Sequence, residues 1–521
     1  MSKGSKTVKA AGYMMAITLI GKVMGLMREQ LLGRNYALGM EASAFMTASQ
    51  IPRVFFDAIF ASAISASFIP IFNEYLESKG KEEAFRLSNN FITIITILTF
   101  VMTAVCMLFA PQITMLFADG FNEPTAKLCT ELLICLLPTI IFTGIAFSLV
   151  GILQSLDEFG IPAAMSIASN GIVIIYFLFF NKKFGVFGLT VAFLIGWAMQ
   201  AIIQIPALIK KGYRYRFYIN LKDEGLKKIF KLMLPVMVGT WIQPINLSIN
   251  LKYASRLFGG DGSGVSAINY ANTLYTIIIS VFVLSVANVI FPQLSRLTTN
   301  DKKEEFGEIL NNTIRVLLFI VFPMMFGLMS LSEPIISLIY QYGRFDEAST
   351  IITSKALFFF SLGMIGFGIQ TILSRACYAV KDGRTPLISG ILSIAANLIL
   401  CILLYEKYNV IGLALASSFS TTVAAIVLIV SMRKKIDGLI NSNMLKDLLK
   451  ILFASFAMTV TVVITRNWII SILGDSILDR AFIVGVPTII GVCIYMFLTY
   501  FMKVHEARYV FETAIGLIKR K

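Results

Sequence analysis

Stretches on the order of twenty residues without a single charge recur along this chain, at 90–110, 132–156, 159–181, 184–209, 232–251, 262–295, 316–332, 356–374, 385–405, 408–432, 451–465 and 481–502. A helix needs about 20 apolar residues to cross the hydrocarbon of a bilayer. Two further segments near the N-terminus, 12–32 and 43–70, are as long but carry charge. The pattern predicts about fourteen spans, hence an all-α polytopic membrane protein. Composition agrees: 57% hydrophobic and 14% charged residues lie far outside the soluble globular range, as does a mean hydropathy of +0.79.

A net charge of +15 would suggest a nucleic-acid partner in a soluble chain. Here the charges have another reading. With the N-terminus in the cytoplasm, most of the 45 Lys and Arg fall in tails and loops on the cytoplasmic side, as the positive-inside rule requires. Both termini are therefore expected inside, and no nucleic acid is needed. The six cysteines all fall within spans and show no metal-type spacing. Lys3, Lys6 and Lys9 before an apolar run mimic a signal peptide, but no small-residue cleavage site follows a clean apolar core, so the first span is expected to be retained.

The chain also repeats itself. Gly188-Leu189 through Lys210-Lys211 matches Gly412-Leu413 through Lys434-Lys435, with Ala192 on Ala416, Ala201 on Ala425, Pro162 on Pro386 and Lys183 on Lys407 at the same offset. SASFIP ending at Pro70 aligns with ANVIFP ending at Pro292. Six helices per copy keep both copies in one orientation, as in transporters whose halves are related by an axis along the membrane normal. The expected division is an N-lobe over 1–215, a C-lobe over 216–437, and two helices plus a tail over 438–521. A basic loop (Lys210, Lys211, Arg214, Arg216, Lys222, Lys227, Lys228, Lys231) joins the lobes.

Three cations stand inside the first two spans: Lys22, Arg28 and Arg53, with Asp57 four residues beyond the last. A charge at mid-bilayer depth costs a few kcal/mol, so such residues face a bundle interior or a watery cavity. Snorkelling of Lys22 and an Arg53–Asp57 pair are the structural alternatives. Ser43, Thr47, Gln50, Arg53 and Asp57 recur at three- and four-residue steps, and Asn269, Asn272, Thr273, Thr276 and Ser280 do so in the repeat counterpart, which reads as two cavity walls or as polar glue between helices. Gln243, Asn246 and Asn250 share a face of the seventh span. Lys252 and Arg256 beyond them either extend a basic pocket or sit at the outer headgroups. Cations on one wall and amides and hydroxyls on the other suit an amphiphile with a phosphorylated head.

The runs GKVMGLMREQLLGRNYALG (21–39), SAFMTASQIPRVFF (43–56) and SFIPIFNEYLE (67–77), with GILQSLDEFGIPA (151–163), QYGRFDEAS (341–349) and YAVKDGRTP (378–386), resemble the MurJ/MviN lipid II flippase family of the multidrug/oligosaccharidyl-lipid/polysaccharide exporter superfamily. The resemblance implies movement of undecaprenyl-diphosphate-linked peptidoglycan precursor from inner to outer leaflet of a bacterial cytoplasmic membrane by alternating access. The positions that meet the diphosphate in the family look like Lys22, Arg28 and Arg53. It implies no cofactor, with membrane potential or an ion as candidate energy sources, and a chain that works as a monomer among membrane lipids, with cell-wall synthases as a candidate partner class. Departures stand at Ser43, where many members carry an acid, and at Asn272 and Thr273, where many carry an acidic-basic pair. Asn397 is followed one turn later by Cys401, which argues against a sodium site and leaves no metal expected. The alternative function is export of another polyprenyl-linked glycan or of drugs. An enzyme acting on the same lipids would need paired carboxylates or a metal cluster near the interface, and the outer loops are too short to hold one.

Overall fold

In the computed structural model, which describes residues 3–56, 62–240, 242–299, 303–436 and 442–507, every regular element among the described residues is helical. The chain forms two compact units, one through Ser266 and the other from Ala267. The first holds α1 (Lys3–Tyr36), α2 (Met40–Phe56), α3 (Ser62–Ser78), α4 (Lys81–Leu108), α5 (Ala110–Phe117), α6 (Glu123–Leu136), α7 (Thr139–Ser155), α8 (Gly160–Phe179), α9 (Asn181–Ile202), α10 (Ile205–Lys210), α11 (Glu224–Thr240) and α12 (Ile242–Ser255). α13 (Ser263–Thr299) begins at its edge. The second continues with α14 (Lys303–Ser330), α15 (Ser332–Tyr340), α16 (Glu347–Ser361), α17 (Met364–Ala379), α18 (Arg384–Arg433), α19 (Ser442–Ile472) and α20 (Ile477–Phe501). The repeat boundary at 215/216 describes a duplication in sequence. By contact, α11 packs on α3 and so lies within the first unit.

Nine helices among the described residues are long and apolar enough to cross a membrane, and the α16–α17 pair, bent by 44°, adds a tenth. The further expected spans fall in α1, in α2 and α3, and in α11 and α12, the last four of which hold 17, 17, 17 and 14 residues and are too short singly for a full crossing. α18 covers two expected spans in one 50-residue helix, broken at Asn409 (φ 50°, ψ −131°). In the second unit α19 and α20 pair with each other and pack on α14 and α15.

The backbone carries the duplication more sharply than the side chains do. Gly185 (φ 56°, ψ −150°) stands 224 residues before Asn409 and breaks α9 in the same way. At the same offset Asp157 and Lys381 both take φ 58°, in turns closed by matching bonds from Glu158 N–H to the Leu153 carbonyl and from Asp382 N–H to the Cys377 carbonyl. Lys211 Nζ donates to the Leu156 carbonyl at 2.9 Å, and its counterpart Lys435 returns to the equivalent turn through Asp382. The same offset links two helix caps: Asn122 accepts from Thr125 N–H at 3.0 Å and Asp346 from Ser349 N–H at 2.8 Å.

These caps respond differently to acid. Hydrogen bonds from Ser349 hold the Asp346 carboxyl below its ordinary range. Its contribution is therefore present at neutral pH and fades as pH falls through that depressed value, whereas Asn122 does not titrate. Asn122→Ala and Asp346→Ala are each expected to cost about 1 kcal/mol at neutral pH. Apparent melting midpoints in detergent, compared at neutral pH and near pH 3, should show the Asp346 penalty shrinking and the Asn122 penalty constant.

Candidate functional site

α1 lies against α8 because two glycines four apart on α1 let the helices approach. A Cβ on Gly21 would come within 2.2 Å of Ser166 Oγ, and one on Gly25 within 3.5 Å of Asn170 Nδ2. This small-xxx-small spacing, common where membrane helices pack closely, sets the position of Arg28. Asn170 fixes it: its Nδ2 donates to the Gly21 carbonyl at 3.3 Å, and its Oδ1 accepts from Arg28 Nη1 at 3.0 Å. The other guanidinium arm pairs with Glu29 at 2.5 Å. The plane of Arg28 also sits over the Phe193 ring of α9, 5.7 Å from its centre.

Phe193 belongs to the wall of a small, partly open hollow formed by Ser49, Pro52 and Arg53 of α2, Leu136, Thr139, Ile140 and Thr143 of α6–α7, and Phe193 and Trp197 of α9. Arg53 is exposed there, while Ile51 and Pro52 beside it are buried. Arg28 and Arg53 are thus brought to one place, one lining the hollow and one behind its aromatic wall. Lys22 is half-buried; it precedes Arg28 by six residues, or about 1.7 helical turns, and is not among the lining residues. Gln50 is half-buried and also stands off the lining. Asp57, and the side chain of Gln243, lie outside the described residues.

Three expected site residues do different work. Ser43 is fully buried: its hydroxyl donates to the Gly262 carbonyl at 2.6 Å and lies 2.7 Å from Ser266 Oγ. It closes helices together and does not face a cavity. Lys252 and Arg256 are engaged in an ion pair. Arg256 grips Asp119 with two bonds, of 2.9 and 2.7 Å, and Lys252 adds a contact at 3.3 Å. Burial would lift the Asp119 carboxyl, but hydrogen bonds and charge from Arg256 and Lys252 outweigh it and hold the group below the usual carboxylate range.

Around this ion pair the backbones touch. Asn122 N–H donates to the Gly260 carbonyl at 3.0 Å, and Gly120 N–H to Ser255 Oγ at 3.1 Å. Cβ atoms on Gly120, Gly260 and Gly262 would come within 2.3 Å of Arg256 Cγ, 2.1 Å of the Gly120 carbonyl oxygen and 2.4 Å of Ser43 Cβ. The segment 118–122 and the segment 252–266 therefore form a latch shut by glycine contact and tied by charge.

In the second unit, Asn269, Asn272 and Thr273 are half-buried on α13. The 342–345 motif is a turn: Gly343 takes φ 64°, buried Phe345 packs on Tyr270 and Tyr340, and Asp346 caps α16. Arg480 of α20 donates to the Gln341 carbonyl at 2.8 Å and covers the Tyr342 ring, so the motif also anchors the last helix. The Cys401 thiol lies 3.8 Å from Asn397 Oδ1, both residues buried.

Comparison with known proteins now adds to the geometry. The family model described as lipid II flippase MurJ matches residues 35–478. The chain belongs to the MurJ lipid II flippase family. It is 26% identical over 503 residues to the probable lipid II flippase MurJ of Rickettsia prowazekii, covering 96% of this chain and 98% of the relative. It is 28% identical over 479 residues to the lipid II flippase MurJ of Thermosipho africanus, covering 92% and 93%. A solved MurJ in an inward closed conformation superposes with a TM-score of 0.80 at 27% identity, over 94% of this chain and 98% of the other. An inward-facing multidrug transporter of the MATE family, at 17% identity and a TM-score of 0.66 over 82% of this chain and 98% of the other, shares the fold alone. In this chain Asn170, Thr139, Thr143, Phe193 and Trp197 are neighbours of the two arginines that spacing alone does not single out. A lone amide and a tryptophan in otherwise apolar spans were their one visible signal.

Proposed function

We propose that this chain, a multi-pass membrane protein, flips lipid II from the inner to the outer leaflet, with both termini in the cytoplasm and no cofactor. Arg53 carries the reading: its guanidinium is exposed at an aromatic-walled hollow inside a membrane-spanning unit, a place where a cation is costly and an anionic head is favoured. The diphosphate docks on Arg53, with Arg28 held behind it by Asn170 and Phe193. Thr139 and Thr143, whose hydroxyls donate to the Leu136 and Thr139 carbonyls, can accept from the polar remainder of the head. Alternating access moves the bound head across, and the latch between 118–122 and 252–266 must part when the cargo leaves. The chain acts as a monomer, and a cell-wall synthase is the partner class that would consume the delivered precursor.

Export of a cationic drug fits less well, because it calls for an available carboxylate: Glu29 is already paired with Arg28, and Asp57, outside the described residues, stands four residues from Arg53 in the sequence. The deciding experiment is leaflet accessibility of lipid II in cells that depend on this chain alone. Precursor should become accessible on the outer face while the chain is present and accumulate on the inner face when it is depleted. An outer-face signal that does not follow the chain's level would refute the proposal.

A further inference from the structure

The linker after α10 runs extended beside the start of α4 and is pinned there by side chains of α4. Asn90 and Asn220 exchange a pair of bonds, Asn90 Nδ2 to the Asn220 carbonyl and Asn220 N–H to Asn90 Oδ1, each 2.8 Å. Tyr213 donates to Asn89 Oδ1 at 2.7 Å, Tyr215 and Thr93 hydroxyls meet at 2.8 Å, and Arg86 covers the Tyr218 ring. Buried amides on a membrane helix are costly when unpaired; here they hold a loop in place.

Two properties of the pinned segment point outward. Its depth is set by α4, which carries Lys81, Glu82, Glu83 and Arg86 in its first turns and no charge from 90 to 108. The segment therefore lies at the level where headgroups give way to acyl chains. Its side chains alternate, as extended backbone requires: Tyr213, Tyr215 and Phe217 on one parity, Arg214 and Arg216 on the other. Phe217 is 72% exposed and Leu221 67%, and Arg214, Arg216 and Lys222 are exposed with them. Exposed Phe217 and Leu221 beside exposed Arg214, Arg216 and Lys222, on a backbone held at headgroup depth, match an anionic membrane surface in both charge and polarity.

We propose that residues 213–222 form a docking strip for anionic phospholipid headgroups, with Phe217 and Leu221 inserted among the acyl chains and Arg214, Arg216 and Lys222 on the phosphates. The strip is separate from the hollow at Arg53 and does not depend on the identity of the cargo. Because its backbone is already ordered by Asn90 and Tyr213, binding costs little further ordering.

The test uses the full-length protein in bilayers of phosphatidylglycerol and phosphatidylcholine in equal parts, extracted into mild detergent, with retained lipid measured by mass spectrometry. The wild type is expected to retain phosphatidylglycerol over phosphatidylcholine, and Arg214→Gln with Arg216→Gln to cut that preference about tenfold, with an unchanged melting midpoint because neither side chain takes part in the pinning. Phe217→Ser should lower total retained lipid and leave the preference intact. No preference in the wild type, or the same preference in the double variant, overturns the proposal. A preference lost equally when Lys227 and Lys231, outside the strip, are replaced by Gln would also overturn it, since any basic surface would then serve.

Discussion

Arg53→Ala is expected to leave the protein in the membrane at its normal level and to abolish rescue of cells depleted of their own lipid II flippase. The side chain is exposed in the hollow, and its removal opens no void among buried neighbours, so folding should survive. What is lost is the cation facing the cargo. Charge-assisted hydrogen bonds contribute about 1.5–3 kcal/mol each, and a guanidinium offers two to a phosphate; losing both slows transport on the order of a hundredfold or more. Arg53→Lys keeps the charge and loses the fork, and should rescue partially. Arg28 behaves differently. Its arms are occupied by Asn170 and Glu29 and its face by Phe193, so Arg28→Lys should fail nearly as fully as Arg28→Ala, because an ammonium cannot satisfy that planar set. Growth and membrane abundance measured together decide the matter: normal growth of an Arg28→Ala, Arg53→Ala double variant would remove the diphosphate-docking idea.

The membrane class, helical fold and duplication could be read from the sequence because each rests on a periodic signal. Uncharged runs mark spans, and a constant offset marks a repeat whose backbone breaks, Gly185 with Asn409 and Asp157 with Lys381, then appear where the offset puts them. The candidate site was partly legible, since the cost of charge in oil singles out Lys22, Arg28 and Arg53 without reference to any neighbour, and the last two of these share the Phe193 wall. Hydrogen-bond partners were not. Asn170 lies 142 residues from Arg28, and nothing in a one-dimensional pattern joins them. Ser43 looked like part of a cavity stripe because three- and four-residue spacing defines a face without saying what covers it. Lys252 and Arg256 stay open between two roles in the sequence because Asp119 lies 137 residues from Arg256, beyond the reach of any local pattern.

The latch gives the second large effect, and the balance of its parts decides which substitution matters. The Asp119 ion pair is partly exposed, with side chains about one-quarter to one-third accessible, and such pairs contribute about 0–1 kcal/mol. The glycine contacts are steric and admit no compromise. At Gly260 the backbone has φ 77°, and an added Cβ would lie 2.1 Å from the Gly120 carbonyl oxygen, so an alanine there is strained in conformation by about 1–2 kcal/mol and also pushes the two segments apart. Gly260→Ala is therefore expected to break the bond from Asn122 N–H to the Gly260 carbonyl, raise amide hydrogen exchange over 118–124 by more than tenfold, and stop transport by leaving that end unable to shut. Asp119→Asn should raise exchange only a few-fold. Its pH dependence follows from the sign of the shift: a carboxyl held below its usual range stabilises the latch above that range and loses the effect as pH falls through the depressed value. Between about pH 6 and 8 the wild type and Asp119→Asn should then differ by a constant amount, converging only in stronger acid. Equal exchange in Gly260→Ala and wild type would mean that the segments are held together by something other than their glycines, and the closure of this end would need another origin.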